Sequence, residues 1–461
     1  MGVIARKDLK TTMNTHLRSH EPFVYEGFVL DSSSPTLTCR YAIGEWSFVE
    51  TFFFPGVDPN GEAWRSAPVN EAARLIFLLA GVSYYKTFAP KRIELPRHSL
   101  TEAEHAFLNR FYISGLGEFA YRNQFDLSDI EIVAERKTQD SVAAYIPTSS
   151  PLIPFGGGID SVVTVEEVRK IKDGCRLFIM NKKNDVFAAI EDAANVSGLE
   201  VVRAQRTIDP SLYASGENGF FNGHVPVTGI LSAVATMTAF LHGASDVVMS
   251  NEHSASTPTL VSDGVAINHQ WSKSLEFEIA FASLIQSKVG DGFDYFSYLR
   301  DRSEVWVAQR FAQHSRYHEV FRSCNRSFAL DPARRANTWC GECDKCCFID
   351  LVLAPFVERD TLVKIFGGNE PLENSRLEKQ FEILVGVDSD PRPFECIGDE
   401  VECQLSATQA ALRDDRADSQ FLRSLSQRIG WSENSREEVL RAQLETMGPS
   451  TLPSSYQRSE R

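Results

Sequence analysis

The sequence predicts an α/β fold: an N-terminal α+β domain, then a doubly wound parallel sheet with a helical, cysteine-rich C-terminal part. Three observations carry this expectation. Aromatic and β-branched runs separated by turn residues fill positions 21–55, strands and helices alternate after Ser149, and four cysteines crowd into "CGECDKCC".

In the first segment, "FVYEGFVLD", "TLTCRYAIG" and "WSFVETFFFP" read as a meander of antiparallel strands, punctuated by "DSSSP" and "IGE". Two helical patterns follow, "NEAARLIFLLAGVSYYK" and "LTEAEHAFLNRFYISGLGEFAYRNQF". Thr101 opens the second, with Glu102 and Glu104 in the first turn, where carboxylates favour the positive helix end. These elements define a domain over residues 1–145.

From residue 146 the rhythm becomes strand, turn, helix. "PLIPF", "CRLFIMN", "LEVVRA" and "DVVMSNE" read as strands, and "SVVTVEEVRKIK", "DVFAAIEDAANVS" and "VTGILSAVATMTAFLH" as the intervening helices. Gly174, Gly198 and Gly243 follow these helices, and glycine tolerates the left-handed cap that ends one. Strands as apolar as "LFIM" and "DVVM" fit a parallel sheet covered on both faces. This second domain runs over 146–403, mostly helical beyond Gly290. A helical extension over 404–461 ends in "GPSTLPSSYQRSER", which its polarity marks as a disordered tail.

The chain carries 47 Lys+Arg against 62 Asp+Glu, a formal charge of -15. That balance argues against nucleic acid as a partner. The first 23 residues lack an apolar run, and "VTGILSAVATMTAFL" is too short for a span, so a cytoplasmic protein without a membrane partner is expected. Nothing in the sequence bears on oligomeric state.

The sharpest local motif is "PFGGGIDSVVT", residues 154–164. Gly156, Gly157 and Gly158 lie between a strand and a helix, where unhindered N–H groups, the helix N-terminus and the Ser161 hydroxyl can cradle phosphate. The spacing matches neither the dinucleotide fingerprint nor the P-loop. Asp160 beside a phosphate repels it, which points to a bridging divalent cation, Mg2+.

Cys324, Cys340, Cys343 and Cys346 form a C-x15-C-x2-C-x2-C pattern, suited to a structural Zn2+ or to an iron–sulfur cluster. Cys347 is left over as a substitute ligand, a core residue or a free thiol. Asn251 and Glu252 follow a strand, on the edge where such sheets bind ligands. Asn268, His269, Gln270, Ser272, Lys273, Ser274 and Glu276 add a second polar cluster.

"GGGIDS" resembles the Ser-Gly-Gly-x-Asp-Ser loop of the N-type ATP pyrophosphatases, with Gly156 in place of the first serine. The cysteine quartet and "GHVPVTGILSAVA" are similar to the synthase that makes the nitrile-bearing deazaguanine precursor of queuosine. Taken with "SYYK" at 83–86, "GLGEFAYRN" at 115–123 and "NHQWSKS" at 268–274, the chain resembles the ATP-dependent UDP-N-acetylmuramoyl-L-alanyl-L-glutamate epimerases of peptidoglycan synthesis.

The resemblance implies an ATP pyrophosphatase-like catalytic domain. It also implies inversion of the terminal L-glutamate of a UDP-muramoyl dipeptide through a carboxyl adenylate, with ATP and water consumed, AMP and diphosphate released, and Mg2+ present. It assigns Gly157, Gly158, Asp160 and Ser161 to ATP and Mg2+, Lys273 to the phosphates or adenylate, His269 to acid/base work and Glu252 to metal or base. Cys347 is a further acid/base candidate. Arg203, Arg206, Arg322, Arg326, Arg334 and Arg335 are candidate partners for anionic substrate groups, and Tyr84, Tyr85, Lys86, Tyr121 and Arg122 for substrate recognition. Two other readings use the same features: an adenylating ligase or RNA-modifying enzyme, and a non-catalytic zinc-stabilised binding module.

Overall fold

The computed structural model describes residues 18–138, 142–262, 264–329, 332–336 and 338–458. Most of the N-terminal stretch expected to lack a targeting segment, residues 1–17, lies outside the described residues. No helix among the described residues is long and apolar enough to cross a membrane.

The meander forms as expected. β1 (Phe23–Leu30), β2 (Thr36–Ile43) and β3 (Trp46–Phe53) pair antiparallel, with Phe23, Tyr25, Leu37, Cys39, Tyr41, Phe48 and Phe52 fully buried at alternating positions. Helix α1 (Ala67–Ala80) starts at an N-cap, Ser66, with a proline in its first turn, where no N–H is needed; the short α2 (Val82–Tyr85) follows. Strand β4 (Arg92–Leu100) leads into α3 (Glu102–Gly115), which opens on a capping box between Thr101 and Glu104. α4 (Gly117–Asn123) and β5 (Glu131–Arg136) complete this part.

The alternating part runs β6 (Leu152–Pro154), α5 (Ile159–Val168), β7 (Arg176–Lys182), α6 (Ala188–Ser197), β8 (Val201–Thr207), α7 (Val227–Leu241) and β9 (Asp246–Met249). A small hairpin, β10 (Leu260–Ser262) with β11 (Val265–Ile267), precedes α8 (Leu275–Val289), β12 (Asp294–Ser297) and α9 (Glu304–Ala312). Beyond the cysteine segment come α10 (Asp344–Leu353), α11 (Arg359–Ile365), α12 (Glu378–Leu384), α13 (Glu400–Ala410), α14 (Gln420–Ile429) and α15 (Glu433–Leu444).

All ten long-sheet strands join in one sheet, ordered β12-β9-β6-β7-β8-β3-β2-β1-β4-β5. The two segments meet where β3 pairs antiparallel with β8, Phe52 opposite Arg206, so the sheet runs on across residue 145. Adjacent residues of a strand enter opposite cores. Leu152 and Phe178 pack with α1, α7 and α8, whereas Ile153, Leu177 and Ile179 pack with α5, α9 and α10. Both faces are therefore covered, as the apolar strands demand.

Two expectations need correction. The chain beyond Gly290 is not mainly helical at once: "DYFS" forms β12, parallel to β9 at the sheet edge, because Tyr295 and Phe296 are buried against opposite faces. The tail is not disordered through residue 458. Tyr456 is buried and its hydroxyl donates to Asp246 (2.6 Å), while Arg458 pairs with Asp301 (2.7 Å). An aromatic anchor and an ion pair offset the ordering entropy that a polar tail would otherwise not recover.

The seam itself rests on charge. Glu50 on β3 is fully buried and pairs with Arg206 on β8, whose guanidinium also donates to the Ser83 hydroxyl (3.2 Å). Removing one partner strands the other charge in the core. Glu50→Ala is expected to lower stability by about 3–5 kcal/mol, read as a shift of the urea unfolding midpoint at constant m.

Candidate active site

In a doubly wound sheet the ligand crevice opens where the strand order reverses. Here β6, β7 and β8 extend one way and β9 and β12 the other, so the crevice lies between the carboxyl ends of β6 and β9. The glycine loop leaves β6 at that point. Gly157 adopts φ +76° and packs against α6 so closely that a Cβ would lie 2.5 Å from the Ala189 carbonyl oxygen. Only glycine fits there. A Cβ on Gly156, by contrast, would meet nothing within 4 Å, so the serine of the similar loops has room in this position.

Gly158 is the N-cap of α5, whose first-turn N–H groups face the cleft with the dipole's positive end. The Ser161 hydroxyl donates back to the Gly158 carbonyl (3.0 Å) and closes the loop. The cleft holds about 360 Å³. Its lining is partly apolar, with Phe155, Phe178, Met180, Ile190 and Phe328, and partly cationic, with Lys273, Arg322 and Lys345. Arg322 donates to the carbonyls of Glu319 and Phe321, and its buried Nε has no partner among the described residues.

Three strands each deliver a carboxylate to this edge. Asp160 follows β6, Glu252 follows β9 and Glu304 begins α9 after β12, and one oxygen of each lies within 4.8 Å of the others. Burial and then the charge of Glu252 push Asp160 up to about 7, and burial with Asp160 pushes Glu304 up as well. Asp160 Oδ1 and Glu304 Oε2 are buried without hydrogen-bond partners. Three converging carboxylates, two of them with an unpartnered oxygen, suit a hard divalent cation.

A second cluster joins residues far apart in sequence. His269 Nδ1 bonds Glu118 of α4, 151 residues away, and Cys396 lies close enough for its charge to act on the His269 ring. Glu118 is held by Arg122 (2.5 Å), and His224 lies over His269 with ring centroids 4.2 Å apart. Burial opposes the charge on His269, but Cys396 and Glu118 outweigh it and raise its pKa to about 9. His224, desolvated and beside that cation, falls to about 4. Lys273 donates to Cys396 Sγ (3.1 Å) and Lys345 to the Cys396 carbonyl. Burial pushes the Cys396 thiol up, yet Lys273, His269 and Lys345 prevail and hold it down to about 6.

The remaining candidates separate clearly. Gly156, Gly158, Asp160, Ser161, Lys273 and Arg322 share the cleft; His269 reaches Cys396 on its wall, and Glu252 joins Asp160. Cys324, Cys340, Cys343 and Cys346 converge, with Sγ–Sγ separations of 3.6 Å (Cys340–Cys346) and 3.5 Å (Cys343–Cys346), near the ~3.8 Å of a tetrahedral zinc–thiolate site. Cys347 is fully buried in α10, outside that quartet and the cleft lining, and burial followed by Asp350 raises its pKa.

Arg203 pairs with Glu191, Arg206 with Glu50, Arg326 with Glu342 and Arg335 with Asp185; Arg334 is exposed. Tyr84 and Tyr85 are core residues. Lys86 bonds Asn222 (2.9 Å) and Gly223 (3.1 Å), and burial lowers it to about 8. Tyr121 and Arg122 pack around Phe394, two residues before Cys396. Sequence reasoning missed Cys396, Glu118 as a side chain, Glu304 and Lys345. A single cysteine just after two prolines in "PRPFECIG" was the available signal for the first.

The fold and site thus define a doubly wound α/β protein with a glycine-loop anion cradle at its switch point, flanked by a carboxylate triplet and a low-pKa thiol. The MurL N-terminal domain family matches residues 14–298 and the MurL C-terminal domain family residues 320–440. The chain belongs to the MurL family. A Micromonospora sp. relative is 36% identical over 454 residues, 96% of this chain and 98% of its own. Relatives from Salinispora tropica (38%) and Xanthomonas oryzae pv. oryzae (35%) cover 87% and 86% of this chain and 88% of their own. All three are named UDP-N-acetyl-alpha-D-muramoyl-L-alanyl-L-glutamate epimerase.

Two outcomes test this geometry. Gly157→Ala is expected to destabilise the protein by about 2 kcal/mol or more, combining positive φ with a backbone clash, whereas Gly156→Ala stays within about 0.5 kcal/mol, by thermal denaturation. Thiolate is the reacting form, so alkylation of Cys396, followed by peptide mass spectrometry, should rise through pH about 6 and level off above it. Lys273→Met should move that midpoint upward.

Proposed function

We propose that the protein is an epimerase that converts the terminal L-glutamate of UDP-N-acetylmuramoyl-L-alanyl-L-glutamate to D-glutamate, driven by ATP cleavage to AMP and diphosphate through a carboxyl adenylate. The observation that carries this reading is the sharing of one cleft. Gly156, Gly158, Asp160 and Ser161 of the glycine loop line it together with Lys273 and Cys396, behind which stand His269 and Glu118, so a nucleotide and a proton-moving apparatus can act on one carbon. The names of the three relatives agree with it.

The chemical need is clear. Removing an α-proton beside an ionised carboxylate builds a second negative charge next to the first. Adenylation cancels that first charge and makes the carbon acid accessible to a positioned base. The N–H groups at the start of α5, with Arg322, Lys273 and Lys345, supply the positive field that phosphates require in a chain of net charge -15. The apolar lining residues Phe155, Phe178, Met180 and Phe328 suit a nucleobase.

Asp160, Glu252 and Glu304 would hold Mg2+, which when bound offsets the charge of the phosphates beside these carboxylates. Cys324, Cys340, Cys343 and Cys346 would hold a structural Zn2+ that cross-links the loop before α10. His269 carries a proton at neutral pH and His224 does not. Environments that push two adjacent pKa values apart provide one group to donate and one to accept.

Incubating the protein with UDP-N-acetylmuramoyl-L-alanyl-L-glutamate, ATP and Mg2+ should yield D-glutamate on hydrolysis and chiral analysis, with AMP and diphosphate appearing together. Glutamate that stays wholly L with folded protein would overturn the reading. Asp160→Asn is expected to cut diphosphate release about 100-fold or more while leaving the circular dichroism spectrum intact.

A further inference from the structure

Cys396 sits in the arrangement by which a nucleophile is recognised. Its sulfur accepts a hydrogen bond from Lys273 (3.1 Å), and the neighbouring His269, whose positive charge also favours the thiolate, is oriented by Glu118, which is itself fixed by Arg122. The thiolate needs no deprotonation step, since Lys273 lies 3.1 Å from the sulfur and Lys345 is anchored on the residue's own carbonyl. It lines the same cleft as the glycine loop, beside Asp160 and Lys273, where the activated carboxyl carbon must arrive. No other cysteine of the chain lines that cleft among the described residues. Four belong to the quartet, and Cys39, Cys175, Cys347 and Cys403 are buried elsewhere.

We propose that Cys396 takes the acyl group from the adenylate as a thioester, and that the α-proton is moved on this thioester. The inference rests on the epimerase reading above. In the first step a sulfur electron pair forms the S–C bond at the acyl carbon, and the C–O bond to the phosphate breaks with its electron pair, releasing AMP. The neutral His224 takes the α-proton, the protonated His269 gives one to the opposite face, and exchange of one proton through solvent restores both rings, with no net change. Water finally adds to the acyl carbon, the C–S bond breaks with its electron pair, the thiolate departs to its place between Lys273 and His269, and both of the water's protons are lost to solvent, leaving the carboxylate. The sum is ATP and water to AMP and diphosphate.

The chemistry explains what an adenylate alone leaves open. A mixed phosphoric anhydride is attacked readily by water, whereas a thioester is more durable. Sulfur donates little into the carbonyl, so the α-carbon stays acidified during the wait. Releasing AMP early also clears the phosphate cradle while the carbon acid is being inverted.

The test uses the full chain with ATP, Mg2+ and UDP-N-acetylmuramoyl-L-alanyl-L-glutamate. Acid quenching followed by peptide mass spectrometry should find the dipeptide conjugate joined to the Cys396 peptide, minus one water, only when ATP is present and removable by neutral hydroxylamine. Cys396→Ala should abolish the adduct and lower AMP release and D-glutamate formation at least 100-fold. Dipeptide-dependent ATP–diphosphate exchange, which precedes the thiolate's step, should persist in that variant and report that it is folded.

If the wild type shows exchange and epimerisation but no adduct, the thioester is overturned while the epimerase reading stands. Loss of α-deuterium uptake from D2O in Cys396→Ala would then assign the thiol to proton transfer instead. If the wild type shows neither exchange nor epimerisation, the parent reading fails and the thioester falls with it.

Discussion

The whole carboxyl edge of the sheet is organised around negative charge that cannot remain alone. Asp160, Glu252 and Glu304 bring carboxylate oxygens within 4.8 Å of one another, in surroundings that desolvate them. Like charges so placed repel strongly, and with burial this holds Asp160 and Glu304 above the usual carboxylate range. The strand order makes the crowding unavoidable: β6, β9 and β12 are neighbours, run parallel, and each is followed by an acid. The cleft lining answers with Lys273, Lys345 and Arg322. Such an arrangement is costly for folding by itself, as uncompensated buried charge is, and perturbed charges of this kind gather at functional sites.

That arrangement is held rigid by contacts that tolerate little change. The loop can reach the cleft only because Gly157 lacks a Cβ and lies against the α6 backbone, and the neighbouring Gly158 faces the Ser323 hydroxyl in the same way. Farther out, the Glu50–Arg206 pair and the β3–β8 pairing make the meander an extension of the catalytic sheet. This continuity lets α4, an element of the N-terminal segment, place Glu118 on His269. The site is therefore assembled from three distant stretches, near residues 118, 269 and 396, on one continuous scaffold.

What could be read in advance follows from how far each signal extends along the chain. The glycine loop, the strand edge carrying Glu252 and the cysteine spacing are local patterns, and their backbone geometry is set by neighbouring residues. Glu304 was missed because it opens α9 seven positions after β12, with no glycine turn between them to mark that edge. Cys396 was invisible for a different reason. Its reactivity comes from Lys273, His269 and Lys345, none within 50 positions of it, and a lone cysteine has no spacing to betray a role. The arginines show the opposite error. Arg203, Arg206, Arg326 and Arg335 looked available for anions, yet each has a carboxylate partner that only the fold supplies.

The cysteine quartet is usually thought of apart from the chemistry, but here the two are joined through one side chain. Lys345 lies between Cys343 and Cys346 in sequence, at the first turn of α10. Its ammonium lines the cleft and bonds the Cys396 carbonyl. Whatever draws the four thiols together also fixes where α10 begins, and hence where that charge sits. A shift of the quartet would therefore also shift the Lys345 ammonium relative to the glycine loop and to Cys396. The quartet and the cleft are thus coupled through the start of one helix, although no thiol of the quartet lines the cleft.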